Sequence, residues 1–436
     1  MQSNKKLQSL ADIQERFLSN RSFLNQYQNI WEKEVLNYYP ESLKAFPEEW
    51  IAEISSYSLD DLYQLDGKQS FEDLPDGEFK NFVAKCRSLE VLPSTSKSSG
   101  PYTSWAWNGV KGKKQHEITR LVPIIKEEMK ALHCHQLIDI GGGVGHLARI
   151  LAHYEGIPVV TVDMNPDLQA KGNKRIKKYP LPEDHNDIQY YCCEFNQDFH
   201  QNHLSQLPLK NKSFGMIGLH TCGHLANDFL FNIEKSNSQL GVNLGCCYLK
   251  LDPDSQTNLS QLAKQNPLKN TKYSLTLATR GHLKLSKEEF EYKLKVKKYR
   301  YLLHLFFLEN GLQRFVSVGD SPPRDYAQNF SDYVFLKIEE AYTKKEINQE
   351  EYLKLKSRPA NEIDKCYQDE KQQETFWNLF YCDLIRWQVG RILEIDILLD
   401  RALYAFEKGI EAEVYEVFDE NLSPRNIALI YKKKGD

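Results

Sequence analysis

The run Leu137-Ile138-Asp139-Ile140-Gly141-Gly142-Gly143-Val144-Gly145-His146-Leu147-Ala148-Arg149-Ile150-Leu151 constrains this chain more than any other stretch. A short apolar run closes on a cluster of glycines. An apolar face at helical spacing (Leu147, Ile150, Leu151) begins behind it, which reads as strand, tight turn and helix. Glycine has no Cβ, so the backbone can turn sharply and come close to a ligand. The helix start behind it offers unpaired N–H groups and a positive dipole end. A second buried strand, Ile157 to Asp163, ends on an acid about twenty residues after the glycines, the spacing at which a carboxylate reaches a ribose hydroxyl pair. A nucleoside-containing cofactor is expected here, on Gly141, Gly143, Gly145 and Asp163, with Met164 beside them.

Gly143-x-Gly145-x-x-Ala148 also fits the dinucleotide fingerprint in its alanine form, so glycines alone leave NAD or FAD open. Asp139 favours S-adenosylmethionine. A carboxylate inside the end of the first strand repels a pyrophosphate, but it can act through water or a backbone N–H on a methionine ammonium. A glycine turn without a ligand is the remaining alternative.

At 436 residues the chain exceeds one ordinary core. Residues 1–92 read as a helical, acidic region and 93–110 as a linker. Residues 111–255 carry the first part of an α/β core and 256–375 a helical insertion. Residues 376–436 return to the core with a long helix and a closing strand hairpin, Glu413 to Phe418 and Ile427 to Lys432. One antiparallel strand at the end of a parallel sheet is how class I, Rossmann-like methyltransferase sheets finish. If the penultimate strand is parallel to the rest, its turn lies on the ligand face, with Arg425 and Asn426 near a substrate.

In such a sheet, ligands bind outside the carboxyl ends of the strands. After the third strand stand Glu194 and Asn196, placed to bond an adenine amino group. After the fourth stands His220-Thr221-Cys222-Gly223, and after the fifth Gly245-Cys246-Cys247-Tyr248-Leu249-Lys250. Four basic or imidazole side chains, Lys114 and His116 among them, open the helix before the first strand, against its dipole, either as a solvated helix start or as a ligand contact. The cysteines admit three readings. They can bind zinc with His220 or His224. They can act as the thiol pair of an RNA 5-methylcytosine enzyme. They can also be small residues beside the cofactor, with His220, Tyr248 and Lys250 forming a polar pocket. We favour the third, without metal, and with His220 or Lys250 as proton acceptor.

The net charge of −4 gives no global polyanion signal. Residues 269–300 are the exception. Ten lysines and arginines interleaved there with Tyr292, Tyr299 and Tyr301 read as an RNA footprint or as a solvated helix face. No run reaches transmembrane length, and the start lacks the apolar core of a signal peptide. Nine cysteines then read as thiols in a reducing compartment, so an intracellular, cytoplasmic location is expected.

Several of these pieces together resemble the methyltransferase-like protein 25 family, which includes the protein named for a ribosomal RNA adenine dimethylase domain. They are Lys113-Lys114-Gln115-His116-Glu117, the glycine loop, Leu219-His220-Thr221-Cys222-Gly223, Gly245 to Leu251, Leu398-Leu399-Asp400-Arg401 and Leu422-Ser423-Pro424-Arg425-Asn426. The resemblance implies the class I fold and S-adenosylmethionine. The His-x-Cys-Gly and Cys-Cys pieces also resemble those of a 2′-O-methyltransferase family acting on the tRNA acceptor stem, which favours RNA. No Asn/Asp-Pro-Pro-Tyr/Phe box follows the fourth strand, against an adenine-dimethylase reading. The expected activity is therefore methyl transfer to RNA. A protein methyltransferase, a non-catalytic cofactor-fold module and a dehydrogenase are the alternatives.

Overall fold

The structure is a computed structural model that describes residue 7 and residues 9–178, 181–209, 213–245, 247–280 and 284–433. Two compact units share the chain. The first combines Met1–Gln26, Leu89–Thr279 and Arg391–Asp436; the second combines Tyr27–Ser88 and Arg280–Gly390.

The first unit is built on a seven-stranded sheet: β1 (Leu137–Ile140), β2 (Val159–Asp163), β3 (Ile188–Cys192), β4 (Phe214–Thr221), β5 (Ser238–Gly245), β6 (Glu411–Glu416) and β7 (Ile427–Lys432). Their order is β3-β2-β1-β4-β5-β7-β6. β1 to β5 are parallel, and β7 runs antiparallel between β5 and β6. β6 therefore points the same way as β5, so the loop after it emerges at the carboxyl edge. This is the class I, Rossmann-like arrangement that the closing hairpin suggested.

Alternate residues of the strands feed two cores, as expected for a sheet covered on both faces. Ile138, Val160, Met216 and Leu429 pack with Phe17, Phe229 and Leu399, from helices Leu10–Gln26, Leu225–Lys235 and Gly390–Glu407. Leu137, Val159, Ile217 and Val242 pack with Ile118, Leu121, Val122 and Ile125 of helix Gly112–Ala131, and with Leu147 and Leu151 behind the glycines.

The units cut the chain elsewhere than composition does. Helix Leu10–Gln26 belongs to the sheet unit because Ile13 and Phe17 are fully buried in its core and Arg21 Nε donates to buried Asp396 (2.7 Å). The long helix expected from residue 376 is two helices, Glu370–Trp387 and Gly390–Glu407, and the first lies in the second unit. That unit joins residues 27–88 to residues 280–390 through ion pairs across the sequence: Lys287–Asp60 (2.9 Å) and Lys293–Asp66 (2.7 Å). Lys297 likewise meets Asp383, and Arg300 meets Asp320 (2.8 Å).

The stretch 269–300, read as a footprint or a solvated face, enters this unit from residue 280. Four of its cations are neutralised within the unit, and Tyr299 and Tyr301 are buried, Tyr299 against Tyr326, Phe330, Tyr333 and Tyr367. Among the described residues no helix is long and apolar enough to cross a membrane.

Candidate active site

β1 and β2 end side by side, Ile140 opposite Val162. The chain leaves β1 through Gly141, Gly143 and Gly145 at φ of +66°, +59° and +73°, left-handed positions that disfavour any Cβ. Gly142 is constrained by space instead: a Cβ there would lie 2.1 Å from Thr161 Oγ1 and 2.5 Å from Asp139 Oδ2. The Gly143 N–H donates to Asp163 Oδ2 and the Asn165 N–H to Asp163 Oδ1, both at 2.9 Å. Asp163 is thereby fixed, half-buried, with lone pairs left for a further donor. Gln169 Nε2 donates to the Gly143 carbonyl (3.0 Å) and the Tyr190 hydroxyl to that of Val144 (3.3 Å), bracing the loop from helix Pro166–Ile176 and β3.

Asp139 is 2% exposed, and neither its Oδ2 nor Thr161 Oγ1 has a hydrogen-bond partner. Burial pushes its carboxyl up to about 7, with Lys114 pulling the other way and Asp163 adding to the rise. A buried carboxylate oxygen without a donor beside a glycine cradle fits a cationic N–H group, and the fixed Asp163 fits a diol. Those are the two ends of S-adenosylmethionine nearest such a loop.

The second half of the site gathers on Glu117. This residue lies on the buried face of helix Gly112–Ala131, and its side chain is fully buried. His220 Nε2 lies 3.1 Å from its Oε2, and the same oxygen meets Lys114 Nζ at 3.0 Å. The Ser423 hydroxyl donates to Oε1 (2.9 Å), and Lys113 Nζ stands 3.9 Å away. Burial alone would raise this carboxyl, but the His220 hydrogen bond and the Lys114 charge hold it down, at about 2. It is a carboxylate, so the imidazole N–H at Nε2 is the donor.

β4 aims His220 by a bulge. Gly218 pairs with Asn243 and Thr221 with Gly245, one residue too many on β4. The extra residue turns His220 outward from an otherwise buried strand. His220 is thus the penultimate residue of β4, where the sequence placed it in the loop beyond.

The other expected residues divide. The Gly223 N–H donates to the Cys247 carbonyl (2.7 Å), and a Cβ on Gly223 would lie 2.5 Å from Lys250 Cβ, so the loops after β4 and β5 are joined with Cys222 and Lys250 at the junction. Met164 is 71% exposed after β2, and Glu194 is exposed after β3. Asn196 Oδ1 accepts the Asp198 N–H (3.1 Å) in its own loop. His116 accepts the Asp419 N–H at Nε2 (3.2 Å), which ties the helix start to the closing hairpin.

Two expectations are corrected. Tyr248 is 1% exposed, and its hydroxyl donates to Glu394 (3.1 Å), so it faces the core and not a substrate pocket. Asn426, also 1% exposed, accepts from Arg391 Nη2 (2.5 Å) and donates to the Phe418 carbonyl (3.2 Å), closing the hairpin loop. Arg425 is half-buried with an unpartnered Nε. Cys246 lies outside the described residues. No group of three or more His, Cys, Asp or Glu among the described residues is arranged to hold a metal.

Glu117 and Ser423 stand in pieces of the resemblance but carry no role in the sequence reading, and Thr161, Gln169 and Tyr190 are not singled out there at all. The one available signal was a carboxylate at 117 on the face that carries Leu121, Ile124 and Ile125, three and four residues after two lysines.

Residues 113–254 match the family model described as "Methyltransferase domain". Among solved structures, the methyltransferase domain of bacterial CtHen1 matches 41% of this chain and 82% of its own, at 13% identity and a TM-score of 0.23. Coclaurine N-methyltransferase, bound to N-methylheliamine and S-adenosylhomocysteine, matches 97% of this chain and 95% of its own, at 11% identity and a TM-score of 0.25. At these scores neither superposition adds to what the strand order shows. The domain match spans the glycine loop, Glu117, His220 and Lys250, on a seven-stranded sheet of the class I type; the chain is an S-adenosylmethionine-dependent methyltransferase.

Proposed function

We propose that this methyltransferase acts on RNA and belongs with the methyltransferase-like protein 25 family, with His220 as its proton acceptor. The observation that carries the reading is the 3.1 Å contact between Glu117 and His220 at the carboxyl edge of the sheet. Pieces of the resemblance that lie far apart in sequence meet there: Lys114 and Glu117, His220, and Ser423 share one carboxylate. Asp400, from another piece, accepts the backbone N–H groups of Leu259 and Ser260 (2.7 and 2.9 Å) and holds the segment after β5.

When bound, S-adenosylmethionine supplies a methyl group on a sulfonium that needs no further activation. Asp139, the loop 141–145 and Asp163 would hold it. Glu117 accepts the Nε2–H of His220, which leaves Nδ1 as the basic nitrogen to take the proton of an attacking hydroxyl or amine. Positioning with one proton acceptor is the chemistry this arrangement offers. Incubation with labelled methyl donor and fractionated cellular RNA and protein tests the reading. Ribonuclease-sensitive label is expected, abolished in H220A while S-adenosylhomocysteine still binds. Label in protein alone would replace RNA by protein, and no label with intact cofactor binding would favour a non-catalytic module.

A further inference from the structure

The helix beside the glycine loop carries charge that the site does not use. Helix Pro166–Ile176 and the turn after it hold Lys171, Lys174, Arg175, Lys177 and Lys178, against Asp167 alone. Lys171, Lys174, Arg175 and Lys178 fall on one face, opposite the buried Gln169 and Gly172. Lys171, Lys174, Lys177 and Lys178 are exposed. Among the described residues no carboxylate lies within ion-pair distance of any of the five. This is the reverse of Lys287, Lys293, Lys297 and Arg300 in the second unit, each of which meets an acid.

The patch continues toward the crevice. Arg175 packs over Gly109, where a Cβ would lie 2.8 Å from its Nη2. That contact joins the helix to the loop 104–111, which carries exposed Lys111. Buried Arg149 fixes the loop through the carbonyls of Trp105 (3.2 Å), Ala106 (2.8 Å) and Asn108 (3.3 Å). Trp105 is 48% exposed on that fixed backbone. The same helix braces the glycine loop through Gln169 in its first turn, and the lysines follow along it from Lys171 onward.

From this we infer that the surface made by Lys111, Lys171, Lys174, Lys177, Lys178 and Trp105 binds the RNA substrate. The inference rests on the RNA reading given above and assigns it a place on the sheet unit. Unpaired lysines track a phosphate backbone and release its counterions, and a held indole face stacks an unpaired base. A single-stranded or looped segment suits both, because its bases are free to leave the stack.

The test is fluorescence polarisation of the full chain with a labelled single-stranded RNA of mixed sequence, over a series of salt concentrations. K171Q/K174Q/K177Q/K178Q should weaken binding at least about tenfold, and the slope of log K against log salt should flatten by about 0.7 for each phosphate no longer neutralised. W105A should weaken binding roughly tenfold with the slope unchanged, since stacking releases no counterion. K284Q/K295Q/K298Q, in the second unit, should bind as the unaltered chain does. Unchanged melting temperatures establish that the variants fold. If the unaltered chain binds RNA and only the second-unit variant fails to, the assigned surface is wrong and the RNA reading stands. If the unaltered chain binds no RNA at low salt, or binds only phosphatidylserine vesicles, both are overturned.

Discussion

Glu117 and His220 stand 103 residues apart in the chain, yet Nε2 of the imidazole lies 3.1 Å from the carboxylate. The contact joins the helix before β1 to the bulged end of β4, and Ser423 brings the closing hairpin onto the same group. One buried carboxylate thus fixes both the tautomer of the proposed proton acceptor and the meeting of three chain segments.

Glu117→Gln should lower methyl transfer by roughly 10²-fold or more, the scale of a missing proton acceptor, while S-adenosylhomocysteine affinity changes little. The carboxyl of Glu117 is held below its ordinary 4.5, at about 2. Its contribution to stability is therefore present above 4.5 and lost as pH falls toward 2. In denaturant titrations the stability difference between the unaltered chain and E117Q should shrink across that acid window.

Asp139 behaves with the opposite sign. Its carboxyl is raised from 3.8 to about 7 by burial, so its contribution to stability is present below 3.8 and lost as pH rises through 7. Asp139→Asn should raise the melting temperature by a few degrees above pH 7 and much less in mild acid. The ionised form is the one that attracts a cationic ligand. Calorimetry should therefore show S-adenosylmethionine affinity rising as pH climbs through about 7, and D139N should lose that dependence.

Gly142→Ala places a methyl group 2.1 Å from Thr161 Oγ1 and 2.5 Å from Asp139 Oδ2, both on buried strands. Overpacking of this kind costs about 1–3 kcal/mol. The melting temperature should fall, and affinity for S-adenosylhomocysteine should fall with it, because the carboxylate proposed to hold the cofactor is the group displaced.

Arg391→Met should be the most destabilising of these changes. The guanidinium donates to Glu394 (2.6 Å), Glu416 (2.6 Å) and Asn426 (2.5 Å), and burial already raises both carboxyls. Without it two acids lose this cationic partner, at a cost of about 3–5 kcal/mol. Each acid is more readily buried when protonated, so the destabilisation should be smaller in mild acid than at neutral pH. Chemical denaturation at the two pH values measures this.

The sequence by itself determined the parts of this protein that depend on near neighbours. The glycines at 141, 143 and 145 mark the turn because left-handed backbone disfavours a Cβ, and the apolar runs before Gly141 and Asp163 mark the strands because burial on both faces demands them. Tertiary structure alone decided which polar groups meet. Ser423 reaches Glu117 across 306 residues, and Lys287 and Lys293 each reach an acid across 227. The same distance effect turned Tyr248 inward, to Glu394 across 146 residues. A charge or hydroxyl reads the same in sequence whether water or a buried partner answers it, and only the folded chain supplies the partner that settles its role.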